Sequence, residues 1–193
     1  MSPLRRLREY DRIAGISEIA RRLFAINAFD GVLTIIGVLM GNFAAGVSQP
    51  AIVVSTGIAT SAAMGISGLW GAYMTEVAER ERSLIELECY TLSDLAGTRI
   101  GEASRAAAIV VALVNGVAPS VAGLVVLTPF FLAAWIADPL RIYLSSIAIA
   151  LLSLMGLGVF LGKVSKVNIL FSGLKMLAAG VVCAVVSYLL TRG

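Results

Sequence analysis

An apolar run without a single charged residue extends from Gly31 to Thr75, and it constrains the fold more than any other feature of the sequence. A transmembrane helix needs about 20 consecutive apolar residues, so the run is long enough for two of them. The tripeptide Ser48-Gln49-Pro50 interrupts it, and Pro50 suits the first turn of a second helix. The run therefore predicts a helical hairpin that crosses a membrane twice.

The rest of the chain extends this prediction. Hydrophobic residues make up 59% of the sequence and charged residues 14%, whereas a soluble domain is roughly half apolar. We expect an all-α membrane protein with five transmembrane helices, an N-terminal amphipathic helix and a short cytoplasmic helical segment between the second and third spans. The predicted single membrane domain, 1–193, comprises an amphipathic segment (1–22), five spans (23–47, 51–74, 106–131, 142–162 and 169–190) and an acidic segment (75–105).

The basic residues predict the orientation of the chain. Twelve of the fifteen lie in the N-terminal segment, in residues 75–105 and in residues 163–166. Because cytoplasmic loops carry an excess of Lys and Arg, we expect a cytoplasmic N-terminus and an external C-terminus. The net charge of +3 is thereby explained without a nucleic-acid partner. The expected location is a prokaryotic cell membrane, crossed several times, with membrane lipid around the chain.

The sequence also excludes several kinds of chemistry. It contains no histidine, which is the commonest protein ligand for zinc, copper and nickel. It contains no nucleotide-binding P-loop, zinc-protease motif or serine nucleophile elbow. We therefore expect neither an enzyme nor a resident cofactor. Any transport would be driven by a gradient, and any metal chemistry would use carboxylates, thioethers and carbonyls.

Asp30 is the most informative single residue. It lies about two helical turns beyond Arg22 along the first predicted span, where an ionised carboxylate is costly unless a cation compensates it. Metal binding requires the deprotonated form, so metal entry would expel a proton and reprotonation would expel the metal. Thr34 lies one turn beyond Asp30 on the same face. In the alternative interpretation, Asp30 caps a helix that begins at Gly31.

Met64 and an acidic helix face provide further candidate ligands. The Met64 thioether would either offer a soft ligand to iron(II) or fill space between helices. Glu76 and Glu79 share one helix face where the second span ends, and Glu86 lies about two turns beyond Glu79. These carboxylates would collect divalent cations. Alternatively, they belong to a solvated helix held by pairs such as Glu76 with Arg80.

Three sequence segments resemble motifs of the vacuolar iron transporter family. The segment Phe29-Asp30-Gly31-Val32-Leu33-Thr34 is similar to the first-helix motif, in which an aspartate lies on the metal pathway. The second-helix signature of the family resembles residues 66–73, which read Ile-Ser-Gly-Leu-Trp-Gly-Ala-Tyr and lead to Glu79-Arg80-Glu81. Its fifth-helix motif is similar to Ser172-Gly173-Leu174-Lys175-Met176-Leu177. The resemblance thus covers the whole membrane domain.

This resemblance implies a function. A member of the family would export iron(II), with manganese(II) as a second candidate, from the cytoplasm in exchange for protons. It would act as a homodimer with its pathway near the subunit interface, and the metal ion would be the substrate. The residues assigned to the metal are Asp30, Met64, Glu76, Glu79 and Glu86, and those assigned to the pathway are Asp30, Thr34 and Ser67.

The sequence departs from the family pattern at two positions. Gly68 stands where the family places a metal-binding methionine, and Ala72 replaces a common glutamate. Met64 lies one turn before Gly68 and would supply a thioether from a different depth. The acidic segment is also shorter than the metal-binding domain of eukaryotic members. Two alternatives therefore stand beside iron export, namely a divergent relative that carries another cation or a small solute, and a membrane scaffold that transports nothing.

Overall fold

The structure is a computed structural model that describes residues 3–133 and 138–192, with side chains from Glu9 onward. Within those ranges the chain forms helices and no strand. Five of the helices, α2, α3, α4, α6 and α7, are long and apolar enough to cross a membrane. The prediction of an all-α membrane protein with five spans is thereby confirmed. The helices are α1 (Pro3–Ala14), α2 (Ile16–Ala44), α3 (Pro50–Thr91), α4 (Arg99–Val126), α5 (Thr128–Phe131), α6 (Pro139–Val164) and α7 (Ile169–Arg192).

The N-terminal segment breaks earlier than the sequence predicts. Gly15 has a φ of +60°, a left-handed conformation that glycine adopts without steric cost, and it separates α1 from α2. One Asp11 carboxylate oxygen accepts a hydrogen bond from the Ser17 amide at 2.6 Å, and the other accepts one from the Ser17 hydroxyl at 2.9 Å. Residues 16–22, expected in a separate amphipathic segment, therefore begin the first membrane-crossing helix.

Helix α3 begins at Pro50 as predicted, but it does not end where the apolar run ends. It continues to Thr91, because residues 76–91 contain neither glycine nor proline to terminate it. At 1.5 Å per residue the helix is about 63 Å long, roughly twice the thickness of the hydrocarbon core. The acidic segment consequently comprises the end of α3, a short loop and the start of α4. In this loop Leu92 has a φ of +51°, and the Leu95 amide donates to the Glu88 carboxylate at 2.8 Å.

The stretch predicted as the third span contains one helix end and a second, shorter helix. Helix α4 ends at Val126, and the single-turn helix α5 follows with Pro129 in its first turn, where the missing backbone donor does no harm. Helix α6 begins at Pro139, and Asp138 caps it by accepting a hydrogen bond from the Leu140 amide at 3.0 Å. The limits assigned to the five membrane spans and to the single domain stay predictions, because helix ends and membrane boundaries are different quantities.

The chain divides into two compact units. The second unit, Ala25–Gly65 and the described residues from Ala118 onward, contains a closely packed apolar core. Helices α6 and α7 pack closely in it because the Gly158 position directly faces the backbone of Gly173. The core is formed by Val32, Ile35, Ile36, Leu39, Val53, Val126, Leu127, Phe130, Ile142, Tyr143, Ala150 and Leu154.

The first unit contains the described residues up to Phe24 together with Ile66–Val117. Helix α1 is joined to the first turn of α4 by two polar contacts in this unit. The Tyr10 hydroxyl donates to the Glu102 carboxylate at 2.6 Å, and the Arg99 guanidinium pairs with Glu9. These contacts hold the N-terminal helix against the α3–α4 connection.

Candidate functional site

Asp30 lies near the middle of α2, which runs without interruption from Ile16 to Ala44. The alternative in which Asp30 caps a helix beginning at Gly31 is therefore wrong, because a capping residue stands outside the helical backbone. The side chain is exposed on the surface of the chain. Its carboxylate forms no hydrogen bond or ion pair with the part of the chain that the structure describes.

The surroundings of Asp30 direct its side chain outward. The adjacent Gly31 packs so closely against α4 that an added Cβ would lie 2.3 Å from the carbonyl oxygen of Pro119. Ile26, Asp30 and Thr34 follow one another at four-residue spacing, and all three are exposed. The Thr34 hydroxyl donates to the Asp30 carbonyl at 2.8 Å, which leaves the hydroxyl oxygen with a free lone pair for a ligand. The structure thus brings Asp30 and Thr34 together on one outward face of α2.

Gly68 is a packing residue. A Cβ at this position would lie 2.6 Å from the backbone oxygen of Asn115 in α4, a separation that real side chains do not show. The space that a metal-binding methionine would require is therefore occupied by the neighbouring helix. Glycine at this position thus permits the close approach of α3 and α4.

Asn115 is a polar residue that sequence reasoning did not single out. Its side chain amide donates to the Val111 carbonyl at 2.9 Å, inside an otherwise apolar part of α4. The sequence nevertheless contained a signal that could have identified it, namely an asparagine within a predicted span, four residues before Pro119. Polar side chains in such positions bond to neighbouring helices or mark a pathway.

Ser61 is a second polar residue whose surroundings the sequence did not reveal. It is buried, and its hydroxyl has no hydrogen-bond partner among the described residues. An added Cβ on Gly123 would lie 2.8 Å from this hydroxyl, and the Ser120 hydroxyl donates to the Ser61 carbonyl at 2.8 Å. The sequence carried no signal for this arrangement, because the surroundings of the hydroxyl depend on the neighbouring helix α4.

The remaining pathway candidates lie on α3. Met64 is half-buried and Ser67 is exposed. Across residues 9–133 and 138–192, no three Asp, Glu or Cys side chains are close enough together to hold a metal ion. The ligand role of Met64 and the pathway role of Ser67 stay predictions.

The acidic face beyond the second span divides into two groups. Glu76 pairs with Arg80 at 2.9 Å, so the pairing alternative is confirmed for this residue. Glu79 and Glu86 are exposed, and neither has a partner within the described residues. Their positions are about 10 Å apart along the helix axis. The metal role of Glu79 and Glu86 stays a prediction.

Comparisons with known proteins agree with this fold. A sequence profile of the VIT family matches residues 90–192, which is more than half of the chain. The chain is also 28% identical over 178 residues to an uncharacterized protein of Methanocaldococcus jannaschii, in an alignment that covers 91% of this chain and 90% of that protein. Membership of the VIT family implies a membrane transporter of metal ions. The chain belongs to the VIT family and is a multi-pass integral membrane protein.

Proposed function

We propose that this protein is a secondary transporter that moves iron(II), with manganese(II) as a second substrate, out of the cytoplasm in exchange for protons. Family membership supports metal-ion transport in general. The finer assignment rests on one observation, which is the unpartnered carboxylate of Asp30 in the middle of a helix able to cross a membrane.

Asp30 couples the two ions by competition for one carboxylate. In a membrane the ionised form requires a compensating cation, and the neutral form requires a proton. A metal ion binds only the deprotonated carboxylate, so binding releases the proton and reprotonation releases the metal. The Thr34 hydroxyl oxygen, one turn away, supplies a second oxygen ligand. Iron(II) and manganese(II) accept such oxygen ligands.

The outward direction of Asp30 supports a homodimer. A single protomer exposes Ile26, Asp30 and Thr34 on one face of α2. If this face contacted lipid, a carboxylate would lie in hydrocarbon, which carries a large cost in free energy. A second copy of the chain covers this face in our proposal, and the metal pathway runs between the two subunits.

The charge distribution supports the direction of transport. In our proposal the N-terminus and the acidic end of α3 lie in the cytoplasm of a prokaryotic cell and the C-terminus lies outside, because cytoplasmic segments carry an excess of basic residues. Glu79 and Glu86, which lack partners among the described residues, raise the local concentration of divalent cations at the cytoplasmic entrance. The proton gradient across such a membrane then drives metal ions outward.

A second candidate function follows from Gly68. Because α4 fills the space of the family's methionine, the site lacks a thioether at that depth. Selectivity for iron(II) among divalent cations partly depends on soft ligands. A transporter for another cation or for a small solute is therefore the alternative.

Flux measurements in proteoliposomes test the proposal. We expect iron(II) and manganese(II) transport under an imposed pH gradient, with cobalt(II) and zinc(II) as competitors. Asp30→Asn should abolish flux, because an amide cannot become anionic. Asp138→Asn is the matched control, since asparagine caps α6 as well as aspartate does. Equal flux in the Asp30 variant and the wild type would contradict the proposal, and preference for zinc(II) or cobalt(II) would favour the alternative.

A further inference from the structure

An open cavity of about 160 Å³ lies between the end of α3 and the first turns of α4, outside the candidate metal pathway. It has room for several water molecules, each of which occupies about 30 Å³ in the liquid. Apart from Ala96 in the connecting loop, its lining residues lie at helical spacing on one face of each helix. They include the apolar Val77 and Leu84 and the polar Arg80, Glu81, Ser104 and Arg105.

Three of the polar groups have no partner within the described residues. Glu81, Ser104 and Arg105 form no hydrogen bond or ion pair there, although all three line the same cavity. The opposite charges of Glu81 and Arg105 do not approach within 4.0 Å of each other. Arg80, in contrast, is held in place by Glu76 at 2.9 Å. The cavity thus lies between the Glu81 carboxylate and the Arg105 guanidinium. A ligand that carries both a positive and a negative charge would bridge these two groups.

The position of the cavity along the helices indicates its surroundings. The apolar run ends at Thr75, and Arg80 lies about 8 Å farther along α3. Arg105 lies immediately before the apolar part of α4. The headgroup layer extends about 5–8 Å beyond each side of the hydrocarbon core. The cavity therefore lies at the depth of lipid headgroups, with Val77 and Arg105 nearest to the hydrocarbon.

We infer that this cavity binds the headgroup of an aminophospholipid, in which a phosphate is joined to a primary ammonium. Arg105 and Ser104 donate hydrogen bonds to the phosphate oxygens, whereas the charge of Arg80 is already balanced by Glu76. The ammonium donates to the Glu81 carboxylate. A purely anionic headgroup would leave Glu81 unpaired beside it, and a quaternary ammonium has no proton to donate. The inference is independent of the transported ion and of the role of Asp30.

Lipid binding to the purified protein in detergent tests this inference. Native mass spectrometry would compare phosphatidylethanolamine, phosphatidylcholine and phosphatidylglycerol with identical acyl chains. We expect about tenfold stronger binding of phosphatidylethanolamine than of phosphatidylcholine, the factor that corresponds to one charge-assisted hydrogen bond. Glu81→Gln should remove this preference, and Arg105→Gln should weaken binding of all three lipids. Arg82→Gln is the matched control, because it removes one positive charge from an exposed position outside the cavity.

Several outcomes would overturn the inference. Equal binding of phosphatidylethanolamine and phosphatidylcholine by the wild type would do so, as would equal effects of Arg105→Gln and Arg82→Gln. Displacement of bound lipid by millimolar phosphoethanolamine supports recognition of the headgroup. If phosphoethanolamine raises the unfolding temperature in lipid-free detergent and lipid does not, the ligand is the free compound and the lipid assignment is wrong. Unfolding temperatures in phosphatidylcholine alone show whether each variant is folded.

Discussion

Gly68 and Gly71 lie on α3, three residues apart, in different surroundings. A Cβ on Gly68 would collide with the Asn115 backbone, whereas nothing lies within 4 Å of a Cβ on Gly71. The sequence revealed that Gly68 replaces a methionine of the family pattern. It did not reveal the reason, because the approach of α4 is a tertiary contact between residues far apart in the chain.

This contrast predicts different effects of the same substitution. Gly68→Met should destabilise the protein by about 1–3 kcal/mol or more, the usual range for overpacking. Gly71→Met, with open space around it, should leave stability unchanged or raise it by up to about 1 kcal/mol, because methionine favours the helix. Thermal unfolding of both variants in the same detergent measures the difference. Equal unfolding temperatures would show that α3 and α4 do not pack at Gly68 as described.

For Asp30, the sequence predicted the position along the helix but not the direction of the side chain. Its distance from Arg22 and the apolar run that follows it predicted a carboxylate inside a membrane-crossing helix. The alternative of a helix cap stayed open, because an Asn-Ala-Phe-Asp segment is compatible with both. The continuity of α2 decided between them. The direction of the side chain, which depends on the packing of Gly31 against Pro119, was not accessible from sequence.

The sequence predicted the first residues of helices more accurately than their last residues. Pro50 and Pro139 mark the first residues of α3 and α6, because proline fixes a helical φ and needs no donor there. The end of α3 was harder to place, since hydrophobicity changes at Thr75 while the helical hydrogen bonds continue to Thr91. A change in polarity marks the edge of a membrane, whereas a helix ends only where its backbone is interrupted.

The junction of α1 and α2 should respond to pH. Hydrogen bonds from the Ser17 amide and then the Ser17 hydroxyl hold the pKa of Asp11 below its usual range, with a smaller contribution from the charge of Arg21. The stabilisation is fully present above the unfolded-state pKa of about 3.9 and is lost as pH falls through the lower folded-state value. Hydrogen exchange of the Ser17 amide should therefore lose protection below about pH 4. Asp11→Asn should show constant protection, and a fall in both proteins would exclude Asp11 as the cause.

In the α6–α7 hairpin, two glycine-to-alanine substitutions should change the free energy of unfolding in opposite directions. A Cβ on Gly158 would lie 2.6 Å from the Cα of Gly173, whereas nothing lies within 4 Å of one on Gly156. Gly158→Ala should destabilise the protein by about 1–3 kcal/mol through overpacking. Gly156→Ala should stabilise it by up to about 1 kcal/mol, because alanine favours the helix. Thermal unfolding distinguishes them, and a stabilised Gly158 variant would contradict the described contact.

For the whole molecule, composition predicted the fold class but not the core. The five spans follow from hydrophobic length, which a membrane enforces on every helix. Ile35 is completely buried while Ile66 is 71% exposed, although both lie in apolar stretches. Because lipid and protein interiors are similarly apolar, hydrophobicity does not distinguish the residues that face them. The core of the second unit could therefore be found only from the structure.

The sequence alone did not determine which of the acidic residues beyond the second span form ion pairs. The sequence assigned Glu76 to cation capture or to a pair with Arg80, and the structure contains the pair. The choice depended on side-chain geometry, since both interpretations use the same helical spacing. Glu79 and Glu86, which have no such partner among the described residues, keep their proposed role in attracting cations.

The central claim is that Asp30 exchanges a proton for a metal ion. The most direct measurement records iron(II) and proton movements together in proteoliposomes without an imposed pH gradient. We predict that an inward iron(II) gradient drives protons outward through the wild type, and that Asp30→Asn moves neither ion. Iron(II) flux without proton counterflow, or coupled flux through the Asp30 variant, would contradict the claim.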